Sequence, residues 1–327
     1  MTMPPAQSSE SEDIDGEIQQ FISAIQAETA KHPHFAELAI ADQRAILEAV
    51  RHPWSQGGPE ASREDVNITG PAGRIPIRII RAQGAPAPQP ALVYFHGGGF
   101  TFFSTRTHDR VMREYAARSG AAVIGVDYAL SPEAKFPVAL NEAVAVIDQL
   151  AETGAEFGID PERIAVGGDS AGANLALAAS LILRDRGDGS RVRAMLLNYG
   201  FFDADFSTAS HRRHGGPGEI LTTDELAGYL HNYVGGTPHG DHPLVLPIRA
   251  ELHDLPPSFH AIAQCDPLAD GIRAMVAKME AAGNDVSHTV YEGATHSFLE
   301  AVAVSRIADR AFDEASAWLR GHFSGPR

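Results

Sequence analysis

The 327-residue chain holds one cysteine, Cys265. A single thiol makes neither an intramolecular disulfide nor a thiolate zinc cluster, so both scaffolds are excluded. Positive charge is also scarce: Lys+Arg number 26 against 42 Asp+Glu, a formal net charge of −16. Nucleic acid and anionic membrane repel such a chain, and neither is expected as a partner; the excess serves solubility. No apolar run approaches the roughly 20 residues of a membrane span. Residues 1–17 are rich in Pro, Ser and acid. They lack the basic start and apolar core of a secretory signal, so a cytoplasmic protein is expected. Hydrophobic content of 44% and charged content of 21% are ordinary for a globular chain. The length suits one large α/β domain or two small ones.

Residues 1–16 read as disordered. From Glu17 to Arg51 apolar residues recur at helical steps (Ile18, Phe21, Ile22, Ile25, then Phe35, Leu38, Ile46, Leu47, Val50), punctuated by Pro33 and Pro53. Ile75, Ile77 and Ile79 alternate with Arg74, Pro76 and Arg78, the pattern of an edge-like strand. Strands are then predicted at 91–95, 121–127, 164–167, 194–199, 258–265 and 286–291. Helices are predicted at 138–150, 171–184, 271–282 and 305–319. Near-continuous apolar strands joined by helices predict an α/β fold: a mostly parallel central sheet covered by helices on both faces. Residues 201–250 break the alternation, with one helix at 223–233 among loops rich in Gly, Pro and His. That stretch and the N-terminal helices (17–60) are expected to form a helical cap on a single domain spanning 17–327, over the sheet's C-terminal edge.

The stretch Val166-Gly167-Gly168-Asp169-Ser170-Ala171-Gly172 follows an apolar strand and leads directly into a run of small helical residues. Strand, sharp turn and helix with Gly-x-Ser-x-Gly spacing is the pattern of a nucleophile elbow. Ser170 is therefore the candidate nucleophile of a serine hydrolase. A serine needs a base, and the developing oxyanion needs donors. In the order Ser, acid, His, the acid is expected at Asp266, directly after an apolar strand. Asp270, four residues on, is explained as a helix N-cap. The base is expected at His296, in the loop Gly293-Ala294-Thr295-His296-Ser297-Phe298. Most of the other 14 histidines lie in polar or loop contexts. His96-Gly97-Gly98-Gly99 follows another strand. Its glycines expose backbone N–H groups, so Gly98 and Gly99 are candidate oxyanion donors beside the N–H of Ala171, with Gly97 shaping the loop. A phosphate-binding loop is disfavoured, because no Walker lysine follows. His96 reads as a structural hydrogen bonder.

With these motifs in order, the chain resembles the hormone-sensitive lipase family of α/β-hydrolases. The matching pieces are His96-Gly97-Gly98-Gly99-Phe100, Val126-Asp127-Tyr128-Ala129-Leu130-Ser131-Pro132-Glu133, Gly168-Asp169-Ser170-Ala171-Gly172, Asp266-Pro267-Leu268-Ala269-Asp270 and His296-Ser297-Phe298. Thr107-His108-Asp109-Arg110 looks particularly like bacterial acetyl esterases. The resemblance covers residues 70–320. It implies hydrolysis of small-molecule esters with short acyl chains, acetyl to about hexanoyl, without cofactor or metal. It also implies a helical cap and a homodimer joined through a sheet edge. Ala269 and Gly271 depart from the family, which often has Arg and Glu there; Ala129 and Ser131 are further departures. An amidase, carbamate or lactone hydrolase would use the same triad. A binding protein on a hydrolase fold is disfavoured because Ser170, Asp266 and His296 are all present. Phe100, Phe102, Phe103, Tyr199, Phe201 and Phe202 flank the motif loops and either line a pocket or pack in the core.

Overall fold

The structure, a computed structural model, describes residues 13–236 and 238–324. The disorder expected for 1–12 lies outside the described residues, but 13–16 are placed. The Asp15 carboxylate caps the first helix by accepting from Glu17 N–H at 2.9 Å, and Asp15 N–H donates to Gly293 at 3.0 Å.

The chain begins with helices α1 (Gly16–Thr29) and α2 (Ile40–Arg51), separated by a turn around Pro33. Strands β1 (Ala61–Gly70), β2 (Gly73–Ala82) and β3 (Gln89–Phe95) follow, then α3 (Asp109–Ser119), β4 (Ala122–Val126), α4 (Val138–Thr153), β5 (Ile159–Asp169) and α5 (Ala171–Asp185). The remainder is β6 (Met195–Asn198), α6 (Ala209–His214), α7 (Thr223–Val234), β7 (Ser258–Cys265), α8 (Ala269–Ala281), β8 (Val286–Thr295) and α9 (Arg306–Ser324). The sheet runs β1-β2-β4-β3-β5-β6-β7-β8. β1 and β2 are antiparallel to their neighbours, and β4 through β8 are parallel.

The expected edge strand at 75–79 is β2, which lies one place in from the edge; the edge is β1. β1 escapes sequence reading because it is mostly exposed and polar, held by pairing to β2 rather than by an apolar face. α3 also escapes the sequence reading, because its short apolar face (Val111, Met112, Tyr115, Ala116) is flanked by charged residues. It buries Asp109, Arg113 and Glu114, made tolerable by ion pairs such as Arg113–Asp109 at 2.7 Å and Arg118–Glu114 at 2.8 Å. β8 runs on past Tyr291 to Thr295, so His296 sits at a strand end rather than within a longer loop.

The connections explain where a crevice forms. β3 leads through α3 to β4 on one side, whereas β5 leads through α5 to β6 on the other. Right-handed crossovers in opposite directions place α3 and α5 on opposite faces. The connections leaving the carboxyl ends of β3 and β5 then diverge to opposite faces, a topological switch point. Register aligns the strand ends, with Phe95 opposite Gly168, Asp169 opposite Asn198, and Cys265 opposite Thr295. α1, α2 and the segment 219–229 stand over this edge, contributing Ile25, Arg51, Leu226 and Tyr229 to the wall of a cavity there.

Candidate active site

Ser170 follows β5 immediately and holds φ 54° and ψ −119°. A non-glycine residue there carries strain of about 1–3 kcal/mol, which the surrounding turn must hold. Ser170 N–H donates to Asn198 at 2.9 Å, and Ser170 C=O accepts from Phe201 N–H at 3.2 Å, fixing the turn against β6. The flanking glycines permit the close approach. A Cβ on Gly172 or Gly168 would run into the Phe95 carbonyl oxygen at the end of β3.

His296 directly follows β8 and Asp266 directly follows β7, neighbouring strands. The structure brings both to Ser170. His296 Nε2 lies 3.0 Å from Ser170 Oγ, and His296 Nδ1 lies 2.8 Å from Asp266 Oδ2. Asp266 is fully buried, and its second oxygen accepts from Leu268 N–H at 2.9 Å. The acid is thus oriented by backbone, and Ala269 and Gly271 supply no side-chain support. Asp270 differs from expectation. The N-cap of α8 is Leu268, and Asp270 sits inside the first turn, where its carboxylate accepts from Ser210 N–H at 2.9 Å and pairs with Arg273 at 3.2 Å.

The glycine loop after β3 lies across the nucleophile turn. Gly97 N–H is engaged by Asp169 Oδ1 at 3.1 Å. Gly98 and Gly99 take φ of 113° and 60°, backbone angles that glycine adopts without strain, and both line the cavity beside Ser170 and His296. Among the described residues, the N–H groups of Gly98, Gly99 and Ala171 have no protein partner. His96 is engaged elsewhere. Its Nδ1 donates to Gly97 C=O at 2.7 Å, and its ring stacks on Tyr128 at 4.4 Å. Burial, with His108 nearby, lowers its pKa to about 4, so it is neutral and unsuited to service as a base near pH 7.

Asp169 itself is buried. It also accepts from Tyr94 OH at 2.8 Å and faces His108 Nε2 at 3.3 Å. Burial works to raise the Asp169 pKa, but the charge and hydrogen bond of His108 outweigh it and the pKa is lowered. For His108 burial works downward, and Asp169 outweighs it in the other direction, so the pKa is raised.

The cavity over Ser170 measures about 240 Å³. Of the six flanking aromatics, Phe102, Phe103 and Phe201 line it. Phe100 stacks on Tyr233 at 3.8 Å, Phe202 packs edge-on to His260, and Tyr199 packs against His296 at 5.0 Å. Sequence reasoning missed Tyr229, Arg51 and Glu300 on the wall. The helical stripe predicted at 17–51 was the available signal for Arg51, and α7 for Tyr229.

Residues 92–300 match the family model described as alpha/beta hydrolase fold. The chain belongs to that family. This α/β-hydrolase is 34% identical to an acetyl esterase of Salmonella typhi over 297 residues, 90% of this chain and 91% of that protein. Its fold superposes on a hyperthermophilic esterase from the archaeon Pyrobaculum calidifontis with a TM-score of 0.87 and 31% identity, covering 94% of this chain and 98% of the other. A thermostable esterase from Pseudomonas putida ECU1011 is similar with a TM-score of 0.89 and 28% identity, over 97% of this chain and 100% of that one. No helix among the described residues is long and apolar enough to cross a membrane.

Proposed function

We propose that this α/β-hydrolase is a serine carboxylesterase for short-chain acyl esters, acetyl to about hexanoyl. The observation that carries the reading is the unbroken chain of contacts from Asp266 through His296 to Ser170, opening into the cavity. Ser170 Oγ attacks the ester carbonyl while His296 Nε2 takes the hydroxyl proton. Asp266 holds the imidazole's tautomer and stabilises the imidazolium. The amides of Gly98, Gly99 and Ala171 receive the oxyanion; all three are free of protein partners among the described residues. His296 then protonates the leaving alkoxide. Water attacks the acyl-enzyme by the same route and releases the acid, restoring Ser170. No step calls for a cofactor or metal.

The chain-length preference rests on the cavity. Ligand cavities ordinarily measure ~300–1,000 Å³, and about 240 Å³ here suits a small acyl group. Segments 17–60 and 201–250 serve as the cap that sets this volume. A cytoplasmic location and dimerisation through the exposed edge of the sheet accompany this reading.

Ser170→Ala tests it. Turnover of 4-nitrophenyl butanoate and labelling by a fluorophosphonate are both expected to disappear while the circular dichroism spectrum and Tm are retained. Retained turnover in a clean preparation sinks the assignment. Rates that climb steadily from butanoyl to dodecanoyl esters sink the short-chain preference alone.

A further inference from the structure

The cavity wall holds a buried charge that this reaction leaves unused. Arg51, the last residue of α2, is 6% exposed, and Glu300, in the turn after His296, is 5% exposed. Both line the cavity. Arg51 Nη1 lies 3.0 Å from Glu300 Oε1, a charge contact that lacks the alignment of a hydrogen bond. Neither Nη1 nor Nε has a hydrogen-bond partner among the described residues. The guanidinium sits between rings instead, 5.5 Å from the centroid of Phe21 and 5.1 Å from that of Phe103.

A strut between cap and core does not look like this. Guanidinium struts use the fork, with two or more aligned bonds. α2 already has one. Arg44 bonds both oxygens of Glu133 at 2.9 and 2.7 Å and the carbonyls of Thr101 and Ser131, each at 2.8 Å. Buried donors left unmade are costly, and more so on a charged group. Nη1 and Nε are closed to water as well as unpartnered, so an acceptor in the cavity meets Nη2, the remaining guanidinium nitrogen, which is not sealed off and makes no hydrogen bond among the described residues. The sign of that acceptor follows from the other walls. Glu219, Glu225 and Glu300 all line the same cavity. A substrate carboxylate would meet their repulsion at low dielectric, and an uncharged oxygen would not.

We propose that Arg51 is a specificity residue: it donates to an uncharged ether, ketone or hydroxyl oxygen that the substrate carries away from its scissile carbonyl. Glu300 holds the guanidinium in place. The enzyme then selects oxygen-bearing short esters over alkyl esters of the same size. The proposal rests on the esterase reading above.

Two matched pairs test it, each exchanging one methylene for oxygen. On the acyl side they are 4-nitrophenyl methoxyacetate and 4-nitrophenyl butanoate; on the alcohol side, 2-methoxyethyl acetate and butyl acetate. Intrinsic reactivity cancels when the kcat/KM ratio within a pair is compared between native enzyme and variant. In Arg51→Met/Glu300→Leu, which removes both charges together, the oxygen-to-methylene ratio of at least one pair is expected to fall by about tenfold, the worth of one hydrogen bond to a charged group. Arg51→Lys keeps the charge and loses the fork, and an intermediate fall is expected. Ratios in both pairs equal to the native ones in the folded double variant overturn the proposal. If the double variant does not fold, native ratios in Arg51→Lys overturn it. Native enzyme that turns over none of the four esters removes the esterase reading itself, and the proposal with it.

Discussion

The carboxylate of Asp169 holds the backbone of Gly97, with Oδ1 3.1 Å from the Gly97 nitrogen. The residue before Ser170 thus anchors the first glycine of the loop whose next two glycines line the cavity beside Ser170. His108 closes the arrangement from α3's N-terminal side, with Nε2 3.3 Å from Asp169 Oδ2.

That pairing predicts a pH-dependent contribution to stability. The His108 pKa is raised, so its contribution is complete below its unfolded value of about 6.5 and fades as pH rises through the folded value. The Asp169 pKa is lowered, so its contribution is complete above about 3.9 and fades as pH falls through the folded value. His108→Gln will therefore lower Tm most between about pH 4 and 6.5, with the deficit shrinking at alkaline pH. Thermal unfolding of both proteins at mildly acidic and alkaline pH checks this; an equal deficit at the two ends contradicts it.

Asp266 and Asp270 are separable by amide substitution. Asp266→Asn keeps the shape but favours the wrong imidazole tautomer, and kcat is expected to fall by roughly 10³–10⁴. Asp270→Asn touches the α6 contact and is expected to leave kcat within about tenfold of native, since surface-proximal changes act mainly on stability. Steady-state kinetics with a short 4-nitrophenyl ester decide it. The reverse ranking moves the acid to Asp270.

Two glycine substitutions are expected to act in opposite directions. Gly172→Ala drives a Cβ into the Phe95 carbonyl and will yield no soluble folded protein. Gly228 lies on the exposed side of α7 with nothing near its would-be Cβ. Gly228→Ala will stabilise by about 0.5–1 kcal/mol through helix propensity. Chemical denaturation reads the second; a Gly172→Ala protein with native Tm refutes the steric account of the elbow.

Arg44 predicts how firmly α2 is fastened. Arg44→Met leaves the Thr101 and Ser131 carbonyls without this donor. A loss of about 1–3 kcal/mol is expected, together with a higher KM for short esters as the cavity wall loosens. Denaturation midpoints and KM are measured on the same preparation. Unchanged values for both show that α2 is held by other contacts.

The elbow was legible because it is local. Strand, turn and helix around Ser170 occupy a dozen consecutive residues, and glycine spacing there answers to backbone clearance. Asp266 and His296 were legible as candidates for a related reason: each follows a strand, and parallel strands deliver their next residue to one edge. β1 and α3 were not legible as elements. The polar face of β1 answers to its pairing with β2, and the buried charges of α3 are balanced by Arg63, Arg113 and Arg118. In both, charged residues outnumber or interrupt the few apolar positions that period counting relies on.

By itself, then, the sequence determined most of the parallel part of the sheet, the order of the motifs and the candidates for serine, acid and base, because these follow from local spacing and strand ends. The tertiary structure alone decided which glycine amides stay unpartnered, since that required the Asp169 carboxylate to occupy Gly97. It alone set Arg51 against Glu300 on the wall above Ser170. Their meeting depends on how α2 lies over the carboxyl edge of the sheet, a matter of packing between segments far apart in the chain.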